Sequence, residues 1–176
     1  LKRYTFTVKN LLVLEMSISR TGYTGENGVE IIMGATMANM ALKLLAKEAP
    51  EGELGVEPAG LGARDTLRME AGMPLYGHEL DESLDPISAG LNFAVSLDKD
   101  QDERGELFIG MEALQHIAAV GSTRKLVGLK LSGKRTARQG MVVKINDIAI
   151  GEVTSGCISP TLGCPIAMAY IDTPRA

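Results

Sequence analysis

Between residues 11 and 20 the chain alternates, with Leu12, Leu14, Met16 and Ile18 on one side and Val13, Glu15, Ser17 and Ser19 on the other. A period of two predicts a half-buried strand. The next eight residues, TGYTGENG (21–28), bring together Gly22, Gly25 and an Asn27-Gly28 pair, which predicts a tight reversal with positive φ angles. A second strand is expected at 29–33. Met37, Met40, Ala41, Leu44 and Leu45 then recur at helical spacing and outline one apolar face of a helix over 35–48. A loop rich in Gly, Pro and Glu (49–57) leads to Pro58, which suits the first turn of a further helix ending near Ala71, before Gly72 and Pro74. On that helix Arg64 falls within the arc that runs from Ala63 through Leu67 and Ala71 to Leu61, so it is expected to face inward and to need a partner. Leu91, Phe93, Val95 and Leu97 alternate with Asn92, Ala94 and Ser96 and predict another strand.

The polar run DKDQDERGE (98–106) reads as a solvated linker and a domain boundary. After a short helix at 110–118 the pattern changes to short β-like pieces at 125–131, 141–145, 148–155 and 165–171. Turn residues such as Ser132-Gly133, Asn146-Asp147 and Ser159-Pro160 separate them. Strands at this spacing point to a small barrel or sandwich. The expectation is an α+β protein with residues 1–100 as one region, 101–124 as linker and short helix, and 125–176 as a small β-barrel domain.

Composition narrows the chemistry. The 176 residues are 45% hydrophobic and 23% charged, ordinary values for a globular chain able to bury a core. Only 4% are aromatic, with three Phe, four Tyr and no Trp, so a flat ligand has few rings to stack on. The net charge of −4 is the wrong sign for a phosphate-backbone binder, and nucleic acid is not expected as a partner. The imbalance is uneven: residues 1–97 carry 8 basic and 13 acidic side chains, residues 98–176 carry 10 and 9. The longest uncharged run, 153–171, holds Gly156, Pro160, Gly163 and Pro165 and does not suit a membrane helix. Residues 1–10 lack a signal-peptide pattern and the chain begins with Leu, which reads as a cytoplasmic protein entered mid-sequence. Two cysteines, Cys157 and Cys164, are too sparse for a zinc site and are expected as buried free thiols; no metal is expected. With only His78 and His116, Ser-His-Asp and Cys-His catalysis have little to work with. No phosphate-cradling glycine motif is present.

Four stretches in order, SRTGYTGENGVEI (19–31), AGLGARDTLRMEAGMPLYGHELDE (59–82), FIGMEAL (108–114) and GEVTSGCISPTLGCPIAMAYI (151–171), resemble the T-proteins of the glycine cleavage system. The resemblance spans nearly all of this chain and roughly the second half of the family. It implies a folate-binding, ferredoxin-like α+β region, incomplete at its N-terminus, followed by a C-terminal β-barrel. It also implies an aminomethyltransferase reaction: the aminomethyl group on the lipoyl arm of the H-protein loses ammonia, and its one-carbon unit passes to tetrahydrofolate. By motif, the family's folate contacts match Glu30 and Arg64, with Tyr23 in the glycine turn and Phe93 where the family usually has Trp. The family's catalytic aspartate matches no residue here.

Each of these positions also has a plain reading. Glu30 suits the solvent face of a strand; Arg64 suits a buried salt bridge. Tyr23 suits a loop anchor, and Phe93 suits core packing. Yet a pterin offers an N–H and an exocyclic NH₂ side by side, and a carboxylate accepts such a pair in bidentate fashion, with charge-assisted strength. Asp65 and Arg68 read as a helix-surface pair. Lys130, Lys134, Arg135 and Arg138 form the one basic cluster, suited to a solvated edge or to steering an acidic H-protein. Two other folate-binding classes compete. One is the folate module of a sarcosine- or dimethylglycine-oxidising flavoprotein. The other is an accessory factor in iron–sulfur maturation, whose cysteine motif is absent where this chain has Phe108 to Glu112.

Overall fold

Three antiparallel strands open the chain: β1 (Phe6–Leu11), β2 (Leu14–Ser19) and β3 (Glu30–Met33), in the order β1-β2-β3. They belong to a computed structural model that describes residues 1–11, 14–46, 50, 55–101 and 105–175. The expected strand at 11–20 is therefore the second arm of a hairpin, with Leu11 opposite Leu14 and Phe6 opposite Ser19; residues 12 and 13 lie outside the described residues. The reversal at 21–28 is broader than the Asn-Gly pair suggests. Of its glycines only Gly25 takes a positive φ, 76°. Ala35–Met37 form a 3₁₀ turn leading into α1 (Ala38–Leu45); the last residues of the expected helix, 47 and 48, are not among those described. The second expected helix is α2 (Leu61–Glu70).

The chain divides into two compact units, Leu1–Ala71 and Gly72–Ala176. In the first, Arg68 and Met69 are the only buried residues among those described, and α1 buries none. The helical arc drawn from Leu61 is corrected by this. Leu61 is 82% exposed, and burial gathers at the last turn of α2, so the helix is covered at one end rather than along a stripe. Arg64 is accordingly exposed, and Arg68 is the inward-facing arginine.

The second unit holds the hydrophobic core. After α3 (Met111–Val120), strands β4 (Arg124–Lys130), β5 (Val142–Ile145), β6 (Ile148–Ser159) and β7 (Cys164–Asp172) form an antiparallel sheet in the order β4-β7-β6-β5. All four expected β pieces are present. Among the described residues the sheet is open, with β4 and β5 as its edges. Register shifts at Val143/Lys144 and Val153/Ser155 mark β-bulges, the device that bends a strand. Ile150, Val153, Ala167, Ala169 and Ile171 make the core, with Val127, Leu129 and Val143 against it. Gly151 permits the β6–β7 approach, since a Cβ there would sit 2.1 Å from the Tyr170 carbonyl oxygen.

Two expectations in this unit are corrected. Residues 91–97 do not form a strand: Asn92–Ala94 make a 3₁₀ turn, because the preceding segment is a chain of turns and, among the described residues, no strand pairs with it. Cys157 and Cys164 form no disulfide and are half-buried rather than buried.

Candidate functional site

The hairpin partner of Ser19 is Glu30, so the last residue of β2 and the first of β3 stand directly opposite. Directly opposed residues on an antiparallel pair project to the same face. Residues 20–29 leave and re-enter the sheet between them. At the start of that loop the Thr21 hydroxyl donates to Glu30 Oε2, and Ser19 Oγ lies 2.9 Å from Thr21 Oγ1. The carboxylate is solvent-exposed, and among the described residues nothing bonds its Oε1.

Further along the loop, the Tyr23 ring lies beneath the Arg64 guanidinium, 4.9 Å from the ring centroid, a cation–π contact. A second contact fastens the loop to the same helix. A Cβ on Gly25 would come within 2.7 Å of the Ala71 Cβ, so the backbone there runs against the end of α2. Arg64 and Ala71 are seven residues apart, two turns, and lie on one helix face. The loop thus meets that face at two points, Tyr23 against Arg64 and Gly25 against Ala71. Arg64 itself makes no ion pair among the described residues.

One turn on, Arg68 is 1% exposed and its Nε donates to Asp65 Oδ1 at 2.8 Å. The pair expected at the helix surface therefore has one partner buried and one, Asp65, about half exposed. Its spacing was visible in the sequence, its burial was not.

Glu30, Tyr23 and Arg64 all belong to the first unit, where the loop and α2 bring Tyr23 and Arg64 into contact and Thr21 and Ser19 attend Glu30. Phe93 belongs to the second unit and is 87% exposed on its 3₁₀ turn, so core packing is not its role. Thr21 and Ser19 were not singled out by sequence reasoning, although their two-residue spacing at a strand end is the signal that both hydroxyls share a side.

The second unit's conspicuous polar groups are structural. His78 Nδ1 lies 3.0 Å from the Thr154 carbonyl oxygen, which can only accept, so Nδ1 carries the proton. The Tyr170 hydroxyl donates to the Glu79 carbonyl at 2.8 Å, and Arg124 lies over its ring at 5.4 Å. Burial, then the charges of Asp85 and Glu79, push the Tyr170 pKa up to about 12. The described residues include no group of three or more His, Cys, Asp or Glu side chains suited to a metal ion. They include no helix long and apolar enough to cross a membrane.

The chain is matched by two family models: the GCVT N-terminal domain over residues 1–99 and the glycine cleavage T-protein C-terminal barrel domain over residues 124–176. An aminomethyltransferase of Synechococcus elongatus is 44% identical over 97% of this chain and 43% of its own length. One from Rubrobacter xylanophilus is 45% identical over the same shares. One from Halothermothrix orenii is 45% identical over 100% of this chain and 47% of its own length. The crystal structure of the glycine cleavage system aminomethyltransferase T from Bartonella henselae superposes with a TM-score of 0.78 at 38% identity, over 90% of this chain and 42% of that one. The chain spans less than half the length of these relatives. On this evidence the chain belongs to the glycine cleavage T-protein family.

Proposed function

We propose that this chain carries the tetrahydrofolate-binding part of an aminomethyltransferase of the glycine cleavage system. The observation that carries the reading is a carboxylate with Oε1 open, Glu30, on the same unit as a loop and helix that present Arg64 over Tyr23. Glu30 accepts the paired pterin N–H groups, and Arg64 supplies a fork of donors to the folate's oxygen atoms. Tyr23 holds the guanidinium in place from below. Phe93 offers an exposed ring in the second unit, matching the family's aromatic position.

In the reaction the S–CH₂ bond of the aminomethyl-dihydrolipoyl arm and the CH₂–NH₂ bond both break. The methylene joins N5 and N10 of tetrahydrofolate, and ammonia and the dihydrolipoyl thiol leave. No residue of this chain is assigned a catalytic part, and the 176 residues alone should not transfer a one-carbon unit. No metal is needed. The partner is a lipoylated H-protein, and a basic surface supports this: Lys130, Lys134, Arg135 and Arg138 are all exposed at and after the end of β4, with no acidic residue from 130 to 146. We place the folate-binding region at 1–100, a connecting segment at 101–124 and the C-terminal barrel domain at 125–176. The compartment is the cytoplasm, or the mitochondrial matrix in a eukaryote.

Calorimetry with tetrahydrofolate on the intact protein tests the site. Glu30→Ala and Arg64→Ala should each weaken binding by about 1.5–3 kcal/mol, the worth of a hydrogen bond to a charged group. Unchanged affinity in both variants would refute the assignment.

A further inference from the structure

We infer that Thr21 is the positioning residue for the Glu30 carboxylate, with Ser19 behind it. The inference rests on the folate reading of Glu30 and adds what makes that carboxylate fit to receive a ligand. A hydroxyl has one proton to give. Thr21 gives its proton to Glu30 Oε2, so the contact between Ser19 Oγ and Thr21 Oγ1, 2.9 Å long, must be donated by Ser19. The Glu30 main-chain oxygen, 3.5 Å from Ser19 Oγ, is the poorer recipient of that proton. The hydroxyls therefore form a directed chain, Ser19 to Thr21 to Glu30.

Both ends of the chain are anchored in the sheet, because Ser19 and Glu30 are paired across β2 and β3. Only Thr21 lies in the loop. A glutamate on an exposed strand end otherwise turns freely about its last torsion, which is broad and roughly two-fold. A hydroxyl on Oε2 selects one orientation of the carboxylate plane. It takes one lone pair of Oε2 and leaves Oε1 entirely open, so both oxygens still accept from a flat pair of N–H donors. Ordering the side chain before the ligand arrives removes an entropic cost that binding would otherwise carry.

The same arrangement ties ligand recognition to the loop that bears Tyr23. Thr21 is two residues from Tyr23, and a shift of the loop's first residues would loosen Glu30 at the same time as it moved the ring under Arg64.

The test is tetrahydrofolate binding by calorimetry to the intact protein carrying Thr21→Val, Thr21→Ser and Thr21→Val combined with Glu30→Ala. Valine keeps the branched shape without the hydroxyl and should weaken binding about five- to tenfold, the cost of ordering one side chain on binding. Serine restores the hydroxyl and should bind within about twofold of the parent. In the Glu30→Ala background the valine change should add nothing, because the group it acts through is gone. A valine variant that binds like the parent, a serine variant as weak as valine, or additive losses in the double variant would overturn the positioning role. Any of these would leave the folate reading of Glu30 standing so long as Glu30→Ala alone weakens binding. Parental affinity in Glu30→Ala would overturn both.

Discussion

Gly25→Ala is the most informative single change to the loop, because one methyl meets two separate obstacles. The backbone at Gly25 has φ 76°, where an L-residue costs about 1–2 kcal/mol. The added Cβ also lands 2.7 Å from the Ala71 Cβ, about 1 Å inside ordinary carbon–carbon contact. Relieving that overlap by moving the loop off α2 costs a further ~1–3 kcal/mol by analogy with overpacked sites. The variant should therefore be destabilised by about 2–5 kcal/mol in urea unfolding. Its tetrahydrofolate affinity should fall as well, since Tyr23 moves with the loop. Ala71→Gly separates the two causes: it removes the methyl that Gly25→Ala strikes but leaves the torsion strained. In that background Gly25→Ala should cost only the torsional part, about 1–2 kcal/mol, so the cycle gives a coupling of at least ~1 kcal/mol. Folate affinity should recover in step. A coupling below about 0.3 kcal/mol would refute the claim that the loop is seated against the end of α2.

Arg68→Ala removes a guanidinium that is almost wholly enclosed and should lower stability by about 2–4 kcal/mol in denaturant unfolding. Arg68→Lys should not restore it, because a point charge does not replace a planar fork; a loss under ~0.5 kcal/mol would mean that the arginine is merely covered. Tyr170 sets an alkaline limit. Its pKa lies near 12 in the fold against 10.0 ordinarily, so the folded state keeps the proton longer, and the stability it contributes is complete below pH 10 and is lost as the pH rises toward 12. Tyr170→Phe should flatten the decline in melting temperature over that window; an unchanged slope would assign the decline to other groups.

Much of this molecule was legible from residue order, and the failures have identifiable causes. The strands of the second unit were visible because apolar runs such as 165–171 lie between turn residues, and β7 is buried along that whole run. Strand β1 was hidden: FTVKNL carries Lys9 and Asn10, and Phe6 and Val8 are 69% and 44% exposed, so no apolar face advertised it. Residues 91–97 alternate faultlessly, but alternation becomes a strand only where another strand offers hydrogen bonds. For Arg64 and Arg68 the wheel was sound and its reference point was wrong, because Leu61 faces solvent. Glu30 was proposed from its motif, while Thr21 needed the ladder register that sets Ser19 opposite Glu30.

The place of β7 in its sheet has a consequence for the order in which this protein can be made. It lies between β4 and β6, yet it is the last of the four strands to be translated. β6 and β7 are hairpin neighbours and can zip as soon as both have left the ribosome. β4, at residues 124–130, has no other strand beside it among the described residues and must wait for residues 164–172. During that interval its backbone donors and acceptors form an open edge, the usual template for mispairing between nascent chains. Folding of this unit is thereby tied to a long-range contact, which slows it. A stall or truncation before residue 164 leaves β4 without its partner strand.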